Sequence, residues 1–405
     1  MVSTKSLSRA VGISPRRSRW EDVAIVAWLV LGLALAVKLT LASDLNRQNV
    51  YLKVFAPAAE AFWARTDLYA ASSGFRYPPI CAALLWPFAA CGPLLGSIAW
   101  RLLNLIVLFS GLRACARAGL PARLSSHERA VVLSLVAFCG VSGVNIGQAN
   151  ALMLGCLLHA ATLAFATRTA ATSGLIGVAT ALKVYPFAFG MVLAVLRPRL
   201  WWGLIGSLLV VALLPYALAP QSYVTAQYAM LVDGLRHEDR TGDLKNAYRD
   251  LRLVAISLGM SMPQIVFVAL QGCGGLAIVL SALLVRRRQG EVAAFTFAVS
   301  ATLCFMLLLG PSTEKVTYQL LGVPLAWQWI SARRDRATWR LVLGGIAMLL
   351  VLIDALPAPA REVQAQHPWL RCWSAYATLL VALDLLHGVF FLRRSDSSSS
   401  PSHAA

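Results

Sequence analysis

Between residues 23 and 391 the chain repeats one pattern, apolar runs of about 20 residues separated by short polar breaks. Hydrocarbon offers no water to backbone N–H and C=O groups, so runs of this length must fold as helices that satisfy their own hydrogen bonds. Of the 405 residues 58% are hydrophobic and only 13% charged, against roughly a quarter charged in soluble domains. That balance excludes a soluble enzyme on a membrane anchor. The runs predict spans over residues 23–43, 97–112, 130–145, 149–167, 201–219, 263–285, 291–310, 316–331, 338–356 and 370–392. The fold class is therefore an all-α polytopic membrane protein, a bundle of about 10–12 transmembrane helices with short broken or re-entrant helices and outer loops. Residues 1–22 read as a basic cytoplasmic N-terminal segment retained ahead of the first helix, 23–394 as a single transmembrane domain, and 395–405 as a disordered Ser-rich tail.

The formal charge of +18 does not point to nucleic acid, because the basic residues lie in short clusters between apolar runs instead of on one soluble face. They read as topology signals and contacts to lipid headgroups. If Arg197 and Arg199, Arg286 to Arg288, Arg333, Arg334 and Arg336, and Arg393 and Arg394 all face the cytoplasm, the last six spans alternate simply. Placing Arg113, Arg117, Arg123 and Arg129 on the same side imposes two conditions. The proline-interrupted piece 78–91 must not complete a crossing, and 174–196 must enter and return, breaking near Tyr185-Pro186. Two full crossings over 78–112 would instead strand four arginines outside.

The preferred topology puts both termini in the cytoplasm of a plasma (inner) membrane protein. It leaves loops 44–77 and 220–262 on the outer face. Residues 52–63 of the first loop read as a helix whose Phe55, Ala59, Phe62 and Trp63 lie along the interface. The second carries charges of both signs, among them Asp233, Glu238, Asp239, Arg240, Asp243, Lys245 and Arg249. The eight cysteines are scattered without a CxxC pair, and no His stands at ligand spacing, so neither zinc nor a disulfide framework is expected.

Few polar groups interrupt the apolar runs. Asp44 ends the first span, as a base for an acceptor hydroxyl or as a solvated carboxylate that stops a helix. Arg76, in Arg76-Tyr77-Pro78-Pro79, can meet a phosphate at the interface or snorkel beside aromatic residues. Gln148 and Asn150, in Gly147-Gln148-Ala149-Asn150, can bond sugar hydroxyls or cap a helix. Lys183, in Leu182-Lys183-Val184-Tyr185-Pro186, is the only charge between Arg168 and Arg197; it is compensated either by a donor phosphate or by snorkelling. Glu314 and Lys315 can bind donor or acceptor, or form an exposed pair of little energy. Asp354 and Asp384 read as bundle-facing ion-pair members, His159 as a hydrogen-bonded core residue, and Trp201 and Trp202 as interface anchors.

The ordered set Asp44, Asp67-Leu68-Tyr69, Phe75-Arg76-Tyr77-Pro78-Pro79, Gly147-Gln148-Ala149-Asn150, Leu182-Lys183-Val184-Tyr185-Pro186 and Pro311-Ser312-Thr313-Glu314 resembles glycosyltransferase family 87. Members of that family are polyprenyl-phosphate-mannose-dependent mannosyltransferases of the GT-C fold. The resemblance implies a GT-C-like bundle, with Asp44 in the place of the catalytic carboxylate and Lys183 and Arg76 at the donor phosphate. It assigns Tyr77, Gln148, Asn150, Tyr185, Glu314 and Lys315 to substrate. Two departures stand out: the tyrosine that follows the family's aspartate is farther away, at Tyr51, and a Trp-Asp-His type of sequence is replaced by Thr313-Glu314-Lys315.

The implied partners are a polyprenyl-phosphate sugar donor, a lipid or glycan acceptor and membrane lipids, with no nucleic acid, no metal and no other cofactor. The implied activity is that of a hexosyltransferase, moving mannose to an acceptor hydroxyl on the outer face by inverting single displacement. Two alternatives share the topology: a flippase or transporter of a lipid-linked substrate, and a polysaccharide ligase or polymerase.

Overall fold

The computed structural model describes residues 19–71, 74–236, 247–311, 313–355 and 367–391. Most of the basic N-terminal segment, the Ser-rich tail, Arg393, Arg394, Ser312 and the loop charges Glu238, Asp239, Arg240, Asp243 and Lys245 lie outside them. The described residues are helical throughout, with no strand among them. The chain is thus an all-α polytopic membrane protein. In chain order the helices are α1 (Arg19–Thr40), α2 (Ala56–Ala64, preceded by a π turn at Tyr51–Phe55), α3 (Leu68–Ala71), α4 (Pro79–Ala89), α5 (Gly92–Ala118), α6 (Ser126–Asn145), α7 (Asn150–Phe165), α8 (Thr169–Leu182) and α9 (Pro186–Leu196). They continue with α10 (Leu200–Leu218), α11 (Gln221–Arg236), α12 (Leu251–Ser257), α13 (Gln264–Gln289), α14 (Glu291–Leu308), a 3-10 segment (Lys315–Leu321) that runs into α15 (Gly322–Arg334), α16 (Thr338–Ala355), a 3-10 turn (Pro368–Cys372) and α17 (Trp373–Phe391). Of these, α1, α5, α6, α10, α13, α14 and α17 are long and apolar enough to cross a membrane.

Ion pairs and side-chain bonds fix which helix ends lie together. Arg129 grips Glu21 through Nε and Nη2 at 3.1 and 2.6 Å, joining the start of α1 to the start of α6. Arg334 reaches Glu128 at 2.6 Å from the end of α15. Arg197 pairs with Glu291 and donates to the carbonyls of Ala164 and Phe165 at the end of α7. Arg286 donates to Leu196 O. One end of the bundle thus gathers arginines from α6, α13 and α15 and the one that follows α9, and Arg113 and Arg117 of α5 line a cavity there with Glu21 and Arg129, the one-sided clustering that the sequence reading requires.

The two conditions deduced for the broken pieces are met. Both Arg168, which follows α7, and Arg197, which follows α9, lie at this arginine end, so α8 and α9 enter the bundle and return. Pro186 at the first position of α9 and the extended backbone of Lys183 (φ −158°, ψ 139°) stop α8 and start the return. Helix α4, of 11 residues, rises about 16 Å and is too short to cross about 30 Å of hydrocarbon. It turns back at Gly92, whose φ of +78° suits glycine, into α5.

The interface helix is corrected in detail. A helix does form over the expected stretch, but Phe55, Ala59 and Phe62 are fully buried, because α4 packs along α2 and the Phe55 ring meets Trp100 and Tyr77. Only Trp63 stays partly exposed, its indole N–H donating to Ala83 O. The ion-pair readings of Asp384 and Asp354 and the hydrogen-bond reading of His159 hold. Asp384 takes a two-pronged contact from Arg340 at 2.7 and 3.0 Å, Asp354 pairs with Arg249, His159 shares a 2.9 Å hydrogen bond with Ser110, and Trp202 is largely exposed at the start of α10.

Candidate active site

Four breaks in the helices meet at the end opposite the arginines. They are the approach to α4 at Tyr77, the α6–α7 junction at residues 146–149, the tip of the α8–α9 hairpin at 183–185, and the described residues 309–311 and 313–316 between α14 and α15. Each break is dictated by its residues. At the α6–α7 junction Gly147 has φ +77°, and a Cβ there would stand 3.1 Å from Tyr51 Cβ and 3.2 Å from Arg101 Cζ, so only glycine fits without strain. Trp100 Nε1 donates to Gly147 O at 2.8 Å, and Arg101 donates to Asn145 O at 3.1 and 3.0 Å, pinning the turn from below. Arg101 is itself buried, held by neutral acceptors including Asn49 Oδ1 at 3.1 Å.

That turn aims its amides across the site. Gln148 Nε2 donates to Glu314 Oε2 at 3.2 Å, and Asn150 Nδ2 to Val316 O at 3.2 Å. The helix-cap reading of these amides fails, because α7 has no side-chain cap at all and both amides instead tie the α6–α7 turn to the α14–α15 connection. Lys183 Nζ sits 5.6 Å from the centre of the Tyr185 ring. Glu314 is near enough to Lys183, Tyr185 and Tyr77 to act on all three electrostatically. Three buried polar atoms in this cluster, Gln148 Oε1, Asn150 Oδ1 and the Tyr185 hydroxyl, have no hydrogen-bond partner among the described residues. Leaving such atoms unpaired costs about 1–3 kcal/mol each, so a ligand rich in hydroxyls would stabilise them.

Around this cluster lies a second layer of charge. Arg76 Nη1 donates to the Tyr248 hydroxyl at 2.8 Å, and Tyr248 also neighbours Tyr77. Asp354, 2% exposed, takes Arg249 Nη1 at 2.5 Å and Ser374 Oγ at 2.6 Å, with Lys315 Nζ at 3.7 Å. The Arg249 N–H donates to Thr313 O at 2.7 Å, and the Tyr318 hydroxyl donates to Arg249 O, so residues 247–250 are stitched to the stretch that carries Glu314. Asp250 caps α12, accepting the N–H groups of Arg252 and Leu253 at 3.0 and 3.2 Å; its burial raises the carboxyl to about 6.

The structure thus brings together Tyr77, Gln148, Asn150, Lys183, Tyr185 and Glu314, with Arg76 joined through Tyr248 and Lys315 turned toward Asp354. Asp44 stands apart. It is exposed in the loop after α1, where the Asn46 N–H donates to its Oδ1 at 2.8 Å and the Arg47 N–H to its backbone oxygen at 3.3 Å. The loop itself reaches the site end, since the Val50 N–H donates to Ile146 O at 2.7 Å, just before Gly147. Tyr248, Arg249 and Gln319 were not singled out as site residues by the sequence. The amide of Gln319 is buried beside Gly143 with neither polar atom bonded among the described residues. Its signal was available, as a glutamine inside an apolar run.

Comparison with protein-family models matches residues 75–311 to glycosyltransferase family 87. The matched stretch contains Arg76, Tyr77, Gln148, Asn150, Lys183 and Tyr185, and it stops before Glu314 and Lys315. Comparison with curated proteins gives no match. A bundle of membrane helices, buried amides beside a cation and a carboxylate, and a family match over more than half of the 405 residues agree: this chain belongs to glycosyltransferase family 87.

Proposed function

We propose that this membrane glycosyltransferase takes a hexose, mannose by the family resemblance, from a polyprenyl-phosphate sugar and passes it to a hydroxyl of a lipid or glycan acceptor. The positive-inside rule puts the arginine end in the cytoplasm of the plasma (inner) membrane, and so the cluster on the outer face. The donor's phosphate lies at the Lys183 ammonium, with Arg76 beside it, and its sugar bonds the unpaired amide oxygens of Gln148 and Asn150 and the Tyr185 hydroxyl. Tyr77 flanks the sugar, and Lys315 borders the acceptor side.

The reaction is a single displacement. A carboxylate takes the proton of the acceptor hydroxyl, the acceptor oxygen forms a bond to the anomeric carbon, and the bond from that carbon to the phosphate oxygen breaks with its electron pair going to the phosphate. The configuration inverts, and Lys183 stabilises the second negative charge on the departing lipid phosphate. Two carboxylates are candidates for the base: Asp44, by family resemblance, and Glu314, by its place among Lys183, Tyr77, Tyr185 and Gln148. Geometry favours Glu314, since a base must lie within reach of the hydroxyl it deprotonates.

The observation that carries this reading is that Glu314 lies within electrostatic reach of Lys183, beside buried polar atoms that have no partner among the described residues. It is tested by presenting polyprenyl-phosphate-mannose and extracted membrane glycolipids to the purified protein. Labelled product in which the anomeric configuration is inverted supports it; product of retained configuration would overturn the single displacement.

A further inference from the structure

At the arginine end, remote from the cluster around Lys183, α1, α5, α6 and α15 enclose a cavity of about 420 Å³. Its walls are apolar: Leu112, Leu120, Val132, Leu133 and Trp327. Its rim is ionic, made by Arg113, Arg117 and Arg129 with Glu21. Glu21 is buried and held by Arg129; the described residues that line the cavity carry three guanidiniums and one carboxylate, a net positive set. Arg113 and Arg117 also border a second depression of about 370 Å³, lined by Phe109, Ser110, Ala114 and His159. The two arginines therefore form a basic ridge between two mostly apolar hollows.

We propose that this ridge and its hollows bind an anionic glycerophospholipid, with the phosphate held by Arg113 and Arg117 and acyl chains in the cavity on either side. Charge complementarity selects an anion, and the walls select its apolar part: a soluble phosphate would leave Leu112, Leu120, Leu133 and Trp327 uncovered, whereas an acyl chain covers them. The position suits a bilayer ligand as well. Helix α1, which supplies Glu21, presents Val23, Val26, Leu29, Val30 and Leu33 outward as a lipid-facing surface. Basic groups at this depth meet anionic headgroups directly. No residue of the ridge belongs to the transfer site, so the lipid here is a structural ligand bridging α1, α5 and α6, separate from donor and acceptor.

The test uses the full chain purified in detergent, with lipid retention read by native mass spectrometry after incubation with dioleoyl phosphatidylglycerol or dioleoyl phosphatidylcholine. The expected result is preferential retention of phosphatidylglycerol, lost by about tenfold or more in Arg113→Gln/Arg117→Gln, the order expected for two basic groups at a headgroup. Arg117→Gln alone, at an exposed position, lowers retention in the same direction and guards against a folding defect in the double variant. Glycerol 3-phosphate does not displace the lipid. Equal retention of the two lipids, unchanged retention in both variants, or displacement by glycerol 3-phosphate would each overturn the proposal, the last in favour of a soluble anion.

Discussion

Replacing Lys183 by Gln removes the cation of the cluster while keeping most of its volume. If a phosphate charge lies as far from Nζ as the Tyr185 ring centre does, 5.6 Å, Coulomb's law at an effective dielectric of about 20 gives about 3 kcal/mol per unit of charge. That corresponds to about a hundredfold in rate or affinity. The proposed donor, a polyprenyl-phosphate sugar, is a phosphodiester with one negative charge, and its phosphate would gain a second only as the sugar leaves. The first charge is felt in the ground state and appears in KM. The second develops in the transition state and appears in kcat. Lys183→Gln should therefore raise KM for polyprenyl-phosphate-mannose and lower kcat by at least about tenfold and at most about a hundredfold, while Lys183→Arg recovers much of both. Steady-state transfer kinetics in proteoliposomes, with insertion checked by gel filtration of the detergent-extracted protein, measure the two constants separately. A Lys183→Gln enzyme whose kcat stays within about threefold of wild type refutes the leaving-group role, whatever happens to KM.

Other expectations follow from the same geometry. Glu314→Gln should cut transfer by about a hundredfold or more while donor binding persists, whereas Asp44→Asn leaves it within about threefold; the reverse pattern in the same kinetic assay returns the base to the loop after α1. Gly147→Ala forces a Cβ against Tyr51 and Arg101 at φ +77°, costing about 1–2 kcal/mol and lowering the apparent melting temperature together with activity, because Gln148 rides on that turn; unchanged melting would show that the turn relaxes freely. Asp250, whose carboxyl is raised to about 6, binds its proton more tightly folded than unfolded. The stability it contributes is present below its unfolded value of about 4 and lost as pH rises through about 6. Thermal melts between pH 5 and pH 7 should fall with rising pH in wild type and flatten in Asp250→Asn, and parallel slopes in the two proteins would contradict that assignment.

The topology was legible because hydrocarbon leaves the chain few choices. Span length, proline and the arginine clusters sufficed to place the α8–α9 hairpin and the incomplete α4, and the bonds from Arg197 to Ala164 and Phe165 confirm the return. Polar residues in apolar runs were equally visible, which is why Lys183, Gln148 and Asn150 were found. Which of them face one another was not visible. The Gln148–Glu314 bond joins residues 166 apart in sequence, and only the packing of α14 and α15 against α6 and α7 brings them together. The outer loop misled for the same reason: Phe55 and Phe62 carry an interfacial pattern, yet α4 covers them, and a short re-entrant helix announces its depth but not its neighbour. Arg249 was hidden among the mixed charges of residues 220–262, where nothing marks the one that pairs with a carboxylate buried at the end of α16.

The most direct test of the central claim is transfer of labelled mannose from polyprenyl-phosphate-mannose to extracted lipids and glycans by the purified protein in liposomes, with Glu314→Gln alongside. Wild type should place label in the acceptor fraction, and Glu314→Gln should leave none above background. Labelled donor crossing the bilayer with its sugar still attached, and no acceptor labelled by either protein, would contradict it.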